Sequence, residues 1–160
     1  MAAGFFNIAP IRTGRDLAQA ARLFADYAAS LGVDLAYQDF AGELAGLPGV
    51  YAPPHGALFL ARDPGGEPVG CVALRAMAEP GCAEMKRLYV APAGRGAGLG
   101  TALVRVVLEA ARDAGHHEVR LDTLPEMTEA LALYRRAGFE EIAAYYDTPV
   151  AGTRFLARRL

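Results

Sequence analysis

Between residues 85 and 113 an apolar-rich strand pattern, Met85 to Val90, runs through a turn with glycines at 96, 98 and 100. The turn opens directly into a helical pattern, Leu99 to Asp113. Few folds tolerate that junction, because it leaves a helix N-terminus bare. Such an end has backbone N–H groups without intrahelical partners and a partial positive charge, which together suit a phosphate. The three glycines remove the Cβ atoms that would keep an anion from those N–H groups. Arg95 adds a fixed positive charge. Two common phosphate patterns fail on spacing. Gly100 is followed by Thr101 with no lysine, against a Walker loop, and the glycines read G-x-G-x-G rather than G-x-G-x-x-G.

The flanking elements frame this junction. Phe5 to Ile11 reads as a first strand. Thr13 and Asp16 form a capping-box pattern for a helix that continues to about Leu31, with Leu17, Ala21, Phe24, Ala28 and Leu31 as its apolar stripe. A second helix is expected over Tyr37 to Ala45, and the proline- and glycine-bearing run from Leu47 to Gly56 reads as a loop. Three strands follow, Ala57 to Arg62, Pro68 to Met77 and Cys82 to Val90, joined by the turns at Asp63–Gly66 and Glu79–Gly81. After the long helix come a strand at Glu118–Thr123, a helix at Thr128–Ala137 stopped by Gly138, and two strands at Phe139–Tyr145 and Thr153–Arg159. The order βααβββαβαββ makes one α/β domain over residues 1–160. Its one parallel unit pairs strand 82–90 with strand 118–123 through the crossover helix.

Composition excludes several classes. A length of 160 residues, 53% hydrophobic and 21% charged, suits one soluble globular domain. No run reaches the roughly 18 apolar residues needed to span a bilayer. The N-terminus lacks a basic region followed by a long apolar stretch, so no signal peptide or membrane partner is expected and a cytoplasmic location is. A net charge of −2 argues against a broad nucleic-acid surface. The 16 basic residues are 15 arginines and one lysine, Lys86, a bias that points to a GC-rich genome. Cys71 and Cys82 read as buried reduced thiols. Cys, His, Asp and Glu show no metal-ligand spacing, and the adjacent His116 and His117 read as a solvated turn.

Arg95, Gly98 and Gly100, in the pattern Arg-x-x-Gly-x-Gly after a strand, resemble the acyl-CoA pyrophosphate loop of the GNAT superfamily of N-acetyltransferases. Residues 130 to 139, Ala-Leu-Ala-Leu-Tyr-Arg-Arg-Ala-Gly-Phe, resemble the other CoA-side motif of that family. The matched region is 82 to 141. The resemblance implies a mixed, mostly antiparallel sheet of about seven strands flanked by about four helices, with a parallel pair that splays apart. It implies acetyl-CoA as co-substrate, held by the Leu88–Tyr89–Val90 backbone and by Arg95, Gly96, Ala97, Gly98, Leu99, Gly100 and Thr101. No metal is needed.

The same resemblance makes Glu84 the candidate base and Tyr134 the candidate acid near the CoA sulfur. Glu84 is expected to share strand parity with Lys86, Leu88 and Val90. Where many members carry an asparagine contacting the cofactor, this chain has Met127, with Thr128 or Asp122 as substitutes. Arg135 and Arg136 are candidates for the CoA 3′-phosphate. An acceptor pocket for the amine of a small molecule or peptide falls to Asp34, Tyr37, Tyr145, Tyr146 and Asp147, an acidic and aromatic set suited to a cationic amine. A homodimer through strand 153–159 is a further expectation. Two alternatives stay open at this level: a non-catalytic acyl-CoA-binding or sensing module, and a structural protein that retains only the fold.

Overall fold

The computed structural model describes residues 6–160. Its seven strands form one sheet in the order β1-β2-β3-β4-β5-β7-β6. They are β1 Asn7–Pro10, β2 Ala57–Arg62, β3 Pro68–Ala76, β4 Cys82–Val90, β5 Glu118–Thr123, β6 Glu140–Ile142 and β7 Arg154–Arg159. The helices are α1 Gly14–Ser30, α2 Phe40–Ala45, α3 Leu99–Asp113 and α4 Thr128–Arg136. All strand pairs are antiparallel except β4 with β5. The expected fold is therefore present. Phe5, placed in the first strand by its pattern, lies outside the described residues.

Two apolar layers hold the sheet. On one face Val72, Leu74, Ala83, Met85, Val119 and Leu121 meet Leu103, Val104 and Val107 of α3 and Tyr134 of α4. On the other, Leu58, Leu60, Cys71 and Ala73 meet Ala20, Leu23 and Phe24 of α1. Strand β3, buried along most of its length, serves both layers, which accounts for its nearly unbroken apolar sequence.

Helix α1 begins as its capping box predicts. The Thr13 hydroxyl accepts the Asp16 N–H at 3.1 Å, and the Asp16 carboxylate accepts the N–H of Thr13 at 3.2 Å and of Arg12 at 2.9 Å. Those backbone bonds hold the Asp16 carboxyl below the usual carboxylate range, with help from Arg62 of β2.

The structure corrects the sequence reading in three places. The helix expected over Tyr37–Ala45 is broken. A tight 3-10 turn covers Leu35–Gln38, Asp39 takes a left-handed φ of 53°, and only then does α2 begin. Aspartate tolerates that conformation better than most residues. Asp34 accepts the Ala36 N–H at 2.9 Å and so caps this turn.

Strand β6 stops at Ile142 rather than Tyr145, because the chain bends to turn Tyr145 and Tyr146 toward the sheet. Strand β7 lies between β5 and β6 and pairs with both within the chain.

The third correction concerns parity along β4. Cys71 pairs with Tyr89 but Ala73 pairs with Lys86, so β4 carries one residue more than β3 between these points. This is a β-bulge, and Arg87 sits in it at a φ of 60°. Glu84 and Lys86 therefore face the α1–α2 side, while Leu88 and Val90 pack on the α3–α4 side.

Buried Arg87 is satisfied by α2. Its guanidinium donates twice to Glu43, at 2.8 and 2.7 Å, and lies over the Phe40 ring at 5.2 Å. Removing one partner of such a pair strands the other charge. Arg87→Ala is expected to lower the unfolding free energy by about 3 kcal/mol, and the double change with Glu43→Ala should recover part of it. Urea unfolding of the three variants measures this.

Candidate active site

Strands β4 and β5 are in register at Cys82–Glu118, Ala83–Val119 and Glu84–Arg120. Beyond Glu84 their pairing ends, and three adjoining spaces lie along the gap. An open cleft of about 680 Å³ lies beside the glycine turn. A cavity of about 570 Å³ lies on the α2 side of the sheet. Between them runs a neck of about 30 Å³, room for one small group. Lys86 and Tyr37 line both neck and cavity, and Leu88, Met127 and Tyr27 line both neck and cleft.

One end of the cleft carries groups suited to an anion. Gly98 is the N-cap of α3 and no side chain caps the helix. Gly96 and Gly98 have φ of 86° and 75°, and a Cβ on either would project into open space. That empty cradle is where a phosphate can reach the first N–H groups of α3. Leu88, Tyr89, Val90, Arg95, Gly96, Gly98, Leu99, Gly100 and Thr101 all line the cleft, while Ala97 lies in the turn without lining it. The Leu99 side chain is buried in the core, so it offers backbone only. Arg95 folds back and donates from Nε to the Val90 carbonyl at 3.0 Å. Arg136 lines the cleft, whereas Arg135 is paired with Glu141 at 2.9 Å. Tyr27 and Ser30 of α1 form part of the opposite wall; no sequence motif marked them. Burial pushes the Tyr27 phenol up to about 12.

Tyr134 reaches the neck from α4, nearly buried, with its ring edge-on to Phe139 at 6.0 Å. Burial pushes its phenol above the usual range, so it stays protonated at neutral pH. Among the described residues no side chain is hydrogen-bonded to that hydroxyl. Thr123, at the end of β5, also lines the neck, and its buried hydroxyl has no partner. An unpaired buried hydroxyl is costly, which marks the neck as a place for a polar group. Met127 lines both neck and cleft, Thr128 lines the cleft, and Asp122 lines the neck.

Glu84 forms part of the cavity floor at 1% exposure. One carboxylate oxygen accepts from Arg75 Nε at 2.8 Å, and the other accepts from the Tyr145 hydroxyl at 2.6 Å. Lys86 Nζ lies 4.0 Å away and donates to Gln38 at 3.1 Å. The neighbouring Tyr146 hydroxyl donates to Asp122 on β5. Burial, then the adjacent carboxylate, raises both phenols. Tyr145, Tyr146 and Phe155 stack edge-on, with centroids 5.0 to 5.7 Å apart.

Of the acceptor-side residues expected from sequence, Tyr37, Tyr145, Tyr146 and Asp147 line the cavity; Asp34 is spent on its cap. Arg75, Gln38, Asp39 and Glu43 join the lining unforeseen, and the chain's lone lysine was the one compositional sign of its floor.

Glu79, Cys82 and Glu118 also converge, although their spacing gave no metal pattern. Arg120 binds both carboxylates, and burial followed by the Glu79 contact pushes the Cys82 thiol up to about 11, so the cluster is internally satisfied.

Residues 17–139 match the acetyltransferase (GNAT) family. The chain is 37% identical over 150 residues to an uncharacterized N-acetyltransferase of Schizosaccharomyces pombe, covering 94% of this chain and 92% of that one. It superposes on an acetyltransferase of the GNAT family from Staphylococcus aureus with a TM-score of 0.80 at 19% identity, over 96% and 98% of the two chains. A GNAT phosphinothricin acetyltransferase of Sinorhizobium meliloti, solved with AcCoA, superposes with a TM-score of 0.72 at 19% identity, over 98% and 89%. The chain spans less than half the length of the rat and mouse N-acetyltransferases that it also matches. A sheet opened at its parallel pair over a bare helix N-terminus is the frame of an acyl-transferring enzyme. This chain belongs to the GNAT family and is an acetyltransferase.

The Tyr145 hydroxyl is one of two strong donors to a buried carboxylate. Tyr145→Phe is expected to cost about 2 kcal/mol of unfolding free energy, read from urea curves.

Proposed function

We propose that the chain is a cytoplasmic, acetyl-CoA-dependent N-acetyltransferase acting on the primary amine of a small molecule or peptide by direct transfer in a ternary complex. The neck carries this reading. It joins an anion-binding cleft to a polar cavity, and both candidate proton-handling groups lie along that path, Tyr134 on the neck and Glu84 on the cavity floor.

The residues present fit acetyl-CoA. The open cradle at Gly96 and Gly98 and the uncapped start of α3 suit its pyrophosphate, and Arg136 suits a further phosphate. The β4 backbone past Glu84, released from β5, is free to pair with an amide-bearing arm. The orphan Thr123 hydroxyl and Tyr134 offer hydrogen bonds where the thioester would lie. The AcCoA held by the Sinorhizobium protein, on the same fold, supports this choice.

The chemistry divides between two groups. An alkylamine ionises near roughly 10.4, so about one in a thousand is neutral at pH 7. Glu84 accepts the amine proton, directly or through a water, as nitrogen bonds to the acetyl carbon and the carbon–sulfur bond breaks. Tyr134 donates a hydrogen bond to the departing sulfur. Burial has moved its phenol still further above the roughly 8.5 of a thiol. It therefore steadies the thiolate by hydrogen bonding rather than giving up its proton outright.

Direct transfer needs no protein nucleophile, and neither cysteine lines the neck. Cys71 is fully buried with its thiol pushed up, and Cys82 is held in the Arg120 cluster. Both are unpaired, consistent with a reducing cytoplasm. A sensing module would need the cleft but not the cavity beyond it.

Glu84→Gln is expected to lower kcat about a hundredfold while acetyl-CoA affinity, measured calorimetrically, stays near that of the parent. An unchanged rate would remove Glu84 as base. Gly98→Ala places a methyl in the cradle, and its cost in fold stability is about 1 kcal/mol. Acetyl-CoA binding should weaken about tenfold or more; unchanged affinity in the folded variant would displace the phosphate site.

A further inference from the structure

At the cavity floor two cations share one buried carboxylate. Glu84 is the anion there, and it faces two cations, Arg75 through Nε and Lys86 at 4.0 Å. Arg87 and Glu43 close on each other nearby and leave nothing over. Arg75 uses one of its five N–H donors on Glu84, and the Lys86 ammonium uses one of three on neutral Gln38. Of the other carboxylates, Asp122 lines the neck with Lys86 and acts on it through charge while accepting from Tyr146, and the exposed Asp39 and Asp147 have no hydrogen bond to either cation.

Lys86 is 13% exposed at its side chain, and desolvation holds its ammonium below the usual lysine value. A chain that uses arginine at 15 of 16 basic positions keeps its one lysine at this spot, shared by neck and cavity. Lysine presents a compact point charge with three donors there.

We infer that the acceptor carries an anionic group beside its amine, as a free amino acid does, and that Lys86 and Arg75 bind that anion while the amine faces Glu84 and the neck. This rests on the acetyltransferase reading above and narrows its acceptor class. With the amine and carboxylate of an α-amino acid both held at the floor, its side chain is left to the apolar lining, Leu47, Val50 and Met77. The anion gives Lys86 a charged partner in direct contact, beyond Glu84 at 4.0 Å and neutral Gln38, so binding offsets part of its desolvation.

The test uses the intact protein, acetyl-CoA and three matched panels: the twenty common amino acids, their α-carboxamides and their decarboxylated amines. Thiol release and product mass are both read. Among amines that turn over, the free carboxylate is expected to have a kcat/KM at least about tenfold above its amide. That preference should collapse in Lys86→Met and return at least in part in Lys86→Arg.

Equal or better turnover of amides and decarboxylated amines would overturn the inference and leave the acetyltransferase reading standing. So would turnover of no panel member by protein that binds acetyl-CoA calorimetrically. Acetylation of Lys86 itself, seen as the one acetyl-lysine peptide this chain can yield, would also overturn it, because an amide holds no anion. Absence of acetyl-CoA binding would remove the underlying reading, and the inference with it.

Discussion

The parting of β4 from β5 after Glu84 is the constraint on which the rest of the structure depends. A continuous parallel pair would bury its backbone groups in each other and leave no path between the faces of the sheet. Three residues of pairing hold the strands at one end, and the bulge at Arg87 turns β4 away at the other. The bulge persists because its arginine is over-determined, with two bonds to Glu43 and a ring beneath it. Helix α2, six residues long and weak by itself, is thereby tied to the strand it helps to shape.

Legibility in the sequence followed the range of the interactions. The glycine turn, the Thr13–Asp16 capping box and the alternating pattern of β5 depend on near neighbours, and each appears where its residues predict. Parity along β4 failed because a bulge is one extra residue against a partner strand far off in sequence. Strand β6 ended early for a similar reason, since Tyr145 and Tyr146 find carboxylates 61 and 24 residues away. The glycine turn that opens α3 was readable as a motif. The cluster on the cavity floor was not, because Arg75 meets Glu84 and Lys86 across two strands and no spacing announces it.

Electrostatics divides the site into two ends of different character. At the cleft the positive charge belongs to a helix terminus and to arginines such as Arg136, open to water and suited to a polyanion that arrives with its own counterions. At the cavity floor the charges are withdrawn from solvent, so each pairing there counts for more. Between them the neck is lined by phenol, hydroxyl and thioether groups, with Asp122 engaged by Tyr146 and Lys86 bound to Gln38. Its hydroxyls can give hydrogen bonds to a carbonyl oxygen or a sulfur without adding a charge of their own.

The width of the gap itself is set from the acceptor side. Tyr145 bonds to Glu84 of β4 and Tyr146 bonds to Asp122 of β5, so two adjacent residues bridge the strands where they diverge. Both rings rest on Phe155 of β7, which pairs with β5. The bend that shortens β6 is therefore part of the site. By spending two strand residues on carboxylates, the chain fixes the separation of β4 and β5 with short phenolic bonds rather than with backbone pairing. It leaves the strand backbones free along the length that faces the cleft.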